Sequence, residues 1–143
     1  MIARFTGKYR FLSNFYGAVT MYGGVLYPTS EHAFQAAKTE DQAQRRHIRK
    51  ARSPGEAKRL GQKVSLREDW DGMRVAIMRE ILIDKFKRHP DLAQKLLDTG
   101  DAPLVEGNTW GDRFWGCVDG HGENHLGLTL MSIRSEFRKK IKV

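Results

Sequence analysis

Glu31, Gln35 and Lys38 stand at i, i+4 and i+7 within Thr29-Ser-Glu-His-Ala-Phe-Gln-Ala-Ala-Lys38, so on a helix they share one face. A carboxylate and an amine so placed can do acid–base or nucleophilic work. Ala33, Phe34, Ala36 and Ala37 cover the other sides with small or apolar groups. The segment is either an exposed polar stripe or a charged pair lining a pocket, and its alanines permit close packing. A second constellation, Trp110-Gly-Asp-Arg-Phe-Trp-Gly116, sets Asp112 and Arg113 among three aromatic rings. It is either a core plug or a slot for a flat ring, with a carboxylate able to engage a sugar hydroxyl or a base edge. Its glycines favour close backbone approach and tilt the choice toward a ligand. In Phe11-Leu-Ser-Asn-Phe15, Asn14 sits between aromatics, either in a turn with buried rings or as an amide that reads a base or ribose. Glycines in Gly120-His-Gly-Glu-Asn-His-Leu-Gly127 can present backbone N–H groups to a phosphate, with Asn124 adding a donor. A plain helix start would look the same. His121 and His125 lack a third ligand at matching spacing, and the lone Cys117 excludes both a disulfide framework and a cysteine-rich zinc site. No metal is expected. No Walker-type loop, dinucleotide fingerprint or esterase elbow is present.

The chain of 143 residues, 40% hydrophobic and 29% charged, has the composition of one soluble globular domain over residues 1–143. No apolar run approaches the roughly 18 residues of a membrane span. The opening MIARFTGKYR is charged where a signal peptide is apolar. A cytoplasmic protein with no membrane partner is expected. The formal charge of +8 is localised. Arg45, Arg46, Arg49, Lys50, Arg52, Lys58, Arg59, Lys63 and Arg67 share their stretch with a single acid, Glu56, and a second basic run occupies residues 134–143. Localised positive charge suits phosphates in a nucleic acid, a nucleotide or a sugar phosphate, and equally a solvated helix face.

These residues must be held by a largely helical frame. Ala18–Tyr22 and Val25–Tyr27 flank Gly23-Gly24, a hairpin signal. Pro28 is expected to end the second strand, and Thr29 or Ser30 to cap a helix through about Thr39. Further helices are expected over Asp41–Ala51, from the capping signal Ser53-Pro-Gly-Glu56, over Asp69–Lys87, and from Pro90 to near Gly100. The wide apolar sector of Asp69–Lys87 predicts a central helix packed on several sides. Leu126, Leu130, Ile133, Phe137 and Ile141 form the stripe of a last helix. The expected class is mainly α with a small antiparallel β element, α+β, built from the hairpin and part of 104–118.

Taken together, several segments resemble the NADAR, or YbiA-like, family. They are Phe11-Leu-Ser-Asn-Phe15, Tyr27-Pro-Thr-Ser-Glu-His-Ala-Phe-Gln-Ala-Ala-Lys38, Ser53-Pro-Gly-Glu-Ala-Lys-Arg-Leu-Gly61, Trp70, Thr99-Gly-Asp101, Phe114-Trp-Gly116 and Asn124-His-Leu-Gly127. They cover nearly the whole chain in the family's order and spacing. The run Gly116-Cys-Val-Asp119 departs from the more acidic or glycine-rich run usual there. The resemblance implies a single compact, mainly helical domain and N-glycosidic chemistry on ribosyl phosphates and ADP-ribose. The substrate it implies is ADP-ribosylated guanine in DNA or RNA, or a pyrimidine ribosyl phosphate of the riboflavin pathway. A non-catalytic ADP-ribose-binding module is the alternative.

The same resemblance assigns roles. Lys38 would attack the anomeric carbon and form a Schiff base with the opened sugar. The amine must be neutral to attack, so it needs burial or a neighbouring cation, whereas Glu31 would raise its pKa. Glu31 would shuttle a proton, and Asp112 would hold ribose hydroxyls or activate water. Direct attack by water on an oxocarbenium ion is the rival route. Substrate-binding roles fall to Asn14, Phe15, His32, Gln35, Trp70, Trp110, Arg113, Phe114, Trp115, Gly116 and Asn124, with Arg113 or arginines of the basic stretch on phosphate. No cofactor is implied. Lys38 and Asp112 are expected to line one cleft.

Overall fold

A computed structural model describes residues 1–141 of the chain, with side chains through residue 140. It is mainly helical with a two-stranded antiparallel sheet. Its residues group into two units, one of Asn14–His89 and one of Met1–Ser13 with Pro90–Val143.

The first unit opens with strands β1 (Gly17–Tyr22) and β2 (Val25–Thr29), joined by Gly23 and Gly24 at φ 57° and 79°. Two successive positive φ values make the tight turn that matches strand twist. β2 runs through Pro28 to Thr29, two residues past the expected stop. In a two-strand sheet both strands are edges, where a missing proline N–H costs little. Helix α1 (Ser30–Ala37) follows at once, with the Thr29 hydroxyl accepting from the His32 N–H. Helix α2 (Gln42–Arg49) is capped by Asp41, and α3 (Pro54–Gly61) by Ser53 with Pro54 in the first turn. Glu56 reaches back to the Arg52 N–H, one residue beyond the Ser53 N–H that a standard capping box would take. Helix α4 spans Trp70–Arg88.

The centre of this unit is α1, not α4. Every residue of α1 is buried, and it packs against both strands and against α2, α3 and α4. Small alanines let all these elements approach it. The apolar sector of α4 is narrower than expected because Met73 and Val75 are exposed.

The second unit begins with a 3-10 turn, Gly7–Leu12. It continues with α5 (Pro90–Asp98) and α6 (His125–Ile141), which pack together. Its buried apolar residues include Phe11 and Leu12 from the N-terminal segment and Leu92, Leu96, Leu104, Leu126, Leu130, Ile133 and Phe137. The side chain of Ile141 and all of Lys142 and Val143 lie outside the described residues. Residues 104–118 add only isolated bridges among the described residues, Ile2 to Leu104, Gly107 to Cys117 and Val118 to His121, so the expected extension of the sheet does not form. Among the described residues no helix is long and apolar enough to cross a membrane.

Candidate active site

Glu31 lies in the first turn of α1 and is only 8% exposed. Its backbone N–H donates to the Asn14 carbonyl at 3.1 Å, fixing the helix start on the segment that precedes the hairpin. The Asn14 amide is itself committed: its Oδ1 accepts from Ser30 Oγ at 2.8 Å, and its Nδ2 points to Met78 Sδ at 3.5 Å. One turn on, Gln35 Nε2 donates to Glu31 Oε1 at 2.8 Å. Gln35 Oε1 is buried without a hydrogen-bond partner and faces Gly61 of α3, where a Cβ would collide with it. The Glu31–Gln35 face is thus an interior feature, and the exposed-stripe reading falls.

Lys38 is the C-cap of α1 and half-buried. Its carbonyl accepts from the Arg67 N–H at 2.8 Å, which pins the helix end to the segment before α4. Burial pushes the Lys38 amine below the ordinary lysine range; Glu31 opposes this and Lys58 of α3 assists it. Desolvation is the larger effect, so it outweighs the carboxylate. Lys58 is a contributor that the sequence reading had only as one cation in a basic run. Its position in Ser53-Pro-Gly-Glu-Ala-Lys58, a capped helix start, was the available signal.

Two residues expected to bind substrate do other work. His32 is 1% exposed and lies between Thr29 Oγ1, 2.7 Å from Nδ1, and the Ala51 carbonyl, 3.0 Å from Nε2. A proton on Nε2 donates to the carbonyl while Nδ1 accepts from the hydroxyl, so both ring nitrogens are used within the fold. Burial lowers its pKa, which keeps the ring neutral. Trp70 is buried at the start of α4, with its ring tilted on Phe34 at a centroid distance of 5.0 Å. That is core packing, not an open stacking face. Phe15 remains 44% exposed.

In the other unit, Asp112 Oδ1 accepts from the N–H groups of Phe114 at 3.1 Å and Trp115 at 2.9 Å. This carboxylate oxygen shapes its own turn. Asn108, which the sequence reading missed, braces the loop by donating to the Asp112 carbonyl and accepting from the Asp112 N–H. Gly116 is required by close approach, because a Cβ there would strike the Glu106 carbonyl. Trp110 is 61% exposed and Arg113 is exposed. Phe114 meets Trp115 edge-on at 4.9 Å and the His125 ring at 4.4 Å.

The start of α6 does not offer its N–H groups to a phosphate. Those of Glu123, Asn124, His125 and Leu126 donate to the carbonyls of Arg113, Gly116, Phe114 and Trp115. Asn124 likewise turns inward, with Nδ2 on the Leu104 carbonyl and Oδ1 on the Glu106 N–H. Among the described residues no cluster of three His, Cys, Asp or Glu side chains is placed to hold a metal ion.

The family model described as the NADAR domain matches residues 4–138. An N-glycosidase from Nostoc punctiforme is 44% identical over 123 residues, covering 82% of this chain and 78% of that protein. The N-glycosidase YbiA of Escherichia coli is 41% identical over 127 residues, covering 87% and 79%. A riboflavin biosynthesis protein of Vibrio vulnificus is 39% identical over 132 residues; the match takes in 90% of this chain and 36% of that longer protein. The NMR structure of E. coli YbiA superposes with a TM-score of 0.85 at 35% identity, covering 99% of this chain and 89% of that one.

Proposed function

The chain belongs to the NADAR domain family and is an N-glycosidase, and we propose that it releases ADP-ribose from modified guanine in nucleic acid. One observation carries the reading: Lys38 is a half-buried amine whose pKa is lowered, on the same helix as the buried carboxylate of Glu31. An ordinary lysine is almost wholly protonated at pH 7, with a pKa of about 10.4. Lowering that value raises the neutral, nucleophilic fraction.

In the proposed reaction the Lys38 Nζ lone pair forms a bond to ribose C1′ as the bond from C1′ to the base breaks. The base nitrogen takes up a proton relayed by Glu31. The ribosyl-amine then opens, its ring oxygen gaining the proton that nitrogen loses, to give the imine. Water adds to the imine carbon and expels the amine, so one water is consumed and the sugar leaves as its aldehyde, which recloses. Gln35 holds one oxygen of Glu31 by a hydrogen bond from its amide, which fixes the carboxylate on the helix face that leads to Lys38. A chain with one cysteine suits a reducing compartment, and the activity is placed in the cytoplasm.

The V. vulnificus relative is named for riboflavin biosynthesis, which favours the second substrate that the family resemblance implies, a pyrimidine ribosyl phosphate. Incubating the protein with an oligonucleotide carrying ADP-ribosylated guanine, and following free ADP-ribose by chromatography, separates the two. Release supports the first reading. Intact oligonucleotide with turnover of the pyrimidine ribosyl phosphate supports the second, and binding without turnover of either reduces the protein to a binding module. Borohydride during turnover should attach substrate mass to Lys38.

A further inference from the structure

Arg46, Arg49 and Lys50 stand at i, i+3 and i+4 along α2 and its C-cap, and all three are exposed. Arg52 in the connection to α3, Arg59 within α3 and Lys63 just after it are exposed too. None of these six side chains makes an ion pair or hydrogen bond among the described residues. Their neighbours differ. Arg45 turns inward to the Thr39 carbonyl at 2.7 Å and toward Glu40, and Arg67 holds Asp69 at 2.7 Å. Glu56, the single acid of the stretch, is committed to the Arg52 backbone.

Like charges at i, i+3 and i+4 on a helix repel, so α2 forms despite this cluster. The exposed positions of α2 include no large apolar residue, unlike a helix that beds into a membrane surface. Six cations also exceed what the two phosphates of one ADP-ribose can occupy. They suit a ligand with a phosphate at every repeat. The stretch adjoins the helix that carries the reacting amine, because α2 and α3 both pack against α1, which Lys38 caps.

We infer that the exposed face of α2 and α3 is a track for the phosphodiester backbone of single-stranded nucleic acid. The choice of nucleic acid rests on the function proposed above. The choice of a single strand follows from the chemistry, since an enzyme that acts on a base needs it out of the stack.

Binding of a fluorescent, unmodified 12-mer strand, measured by anisotropy from 50 to 200 mM salt, tests the surface without any glycosidic chemistry. Each strand phosphate neutralised contributes about 0.7 to the slope of log affinity on log salt. The variant Arg46→Ala/Arg49→Ala/Lys50→Ala should lose about 2 from that slope and bind about tenfold or more weakly at 50 mM. Arg46→Lys/Arg49→Lys should keep both values. Lys8→Ala/Lys87→Ala/Lys139→Ala, an equal loss of charge elsewhere, should retain most of the slope. An unchanged slope in the first variant overturns the inference, as does an equal loss in the third or tighter binding of the duplex. A wild-type slope that depends on these residues, with no release of ADP-ribose, supports the track while striking the proposed reaction. Circular dichroism confirms that each variant is folded.

Discussion

Gln35 holds Glu31 by a 2.8 Å hydrogen bond from Nε2, and the remainder of its amide fills the space left by the missing side chain of Gly61. The carboxylate next to the candidate nucleophile is therefore positioned through α3 as well as by its own helix. Gly61→Ala should destabilise the protein by about 1–3 kcal/mol through overpacking. Denaturant melts in a Gln35→Ala background should recover most of that cost; fully additive effects would show that the two residues do not meet.

Lys38→Ala should lower kcat/KM by about three orders of magnitude or more while thermal unfolding changes little. Borohydride should no longer capture substrate. Near-normal turnover in this variant would transfer the reaction to direct attack by water.

The pH profile should report on Lys58. With the Lys38 pKa depressed, the nucleophilic fraction grows as pH rises, and activity should climb toward a plateau at a pH below that of an ordinary lysine. Lys58 pushes the Lys38 pKa down, so Lys58→Met should move the rising limb to higher pH. Glu31 pushes it up, so Glu31→Gln should move the residual activity to lower pH. Profiles of kcat/KM from pH 6 to 10 distinguish these directions.

His32→Phe should cost about 2–4 kcal/mol, because it strands the Ala51 carbonyl and the Thr29 hydroxyl inside the fold. Substrate affinity in the folded fraction should hold. A large rise in KM without loss of stability would return His32 to the binding site.

Lys85 of α4 is fully buried, with its ammonium 5.9 Å from the Tyr16 ring, and desolvation brings its pKa to about 7. The unfolded chain holds this proton up to about pH 10.4. Between those values the unfolded state binds the extra proton, so stability rises with pH; below about 7 the full cost of the buried charge is present. Lys85→Met should raise the unfolding midpoint, with the gain largest at pH 6 and shrinking toward pH 10. A constant gain would remove the linkage.

The sequence disclosed local features well and long-range ones poorly. Caps at Thr29 and Ser53 and the Gly23-Gly24 turn are local chemistry, and each is found where its residues stand. The centrality of α1 was hidden because alanines register weakly as hydrophobic signal, although their size is what lets five elements crowd one helix. His32 and Trp70 carry ligand-capable side chains, and only coordinates reveal that Ala51 and Phe34 already occupy them. The anion site expected before α6 failed for a similar reason: its donors meet the carbonyls of Arg113, Phe114, Trp115 and Gly116, a pairing that no motif announces.

That pairing has an evolutionary corollary. The hydrogen bonds that fasten segment 113–116 to the start of α6 run between main-chain atoms, although the Phe114 ring also packs on that of His125. Exchanging Arg113, Phe114 or Trp115 for other residues leaves those fastenings in place. Selection can accordingly retune the chemistry displayed by this loop, one side chain at a time, with the helix still anchored.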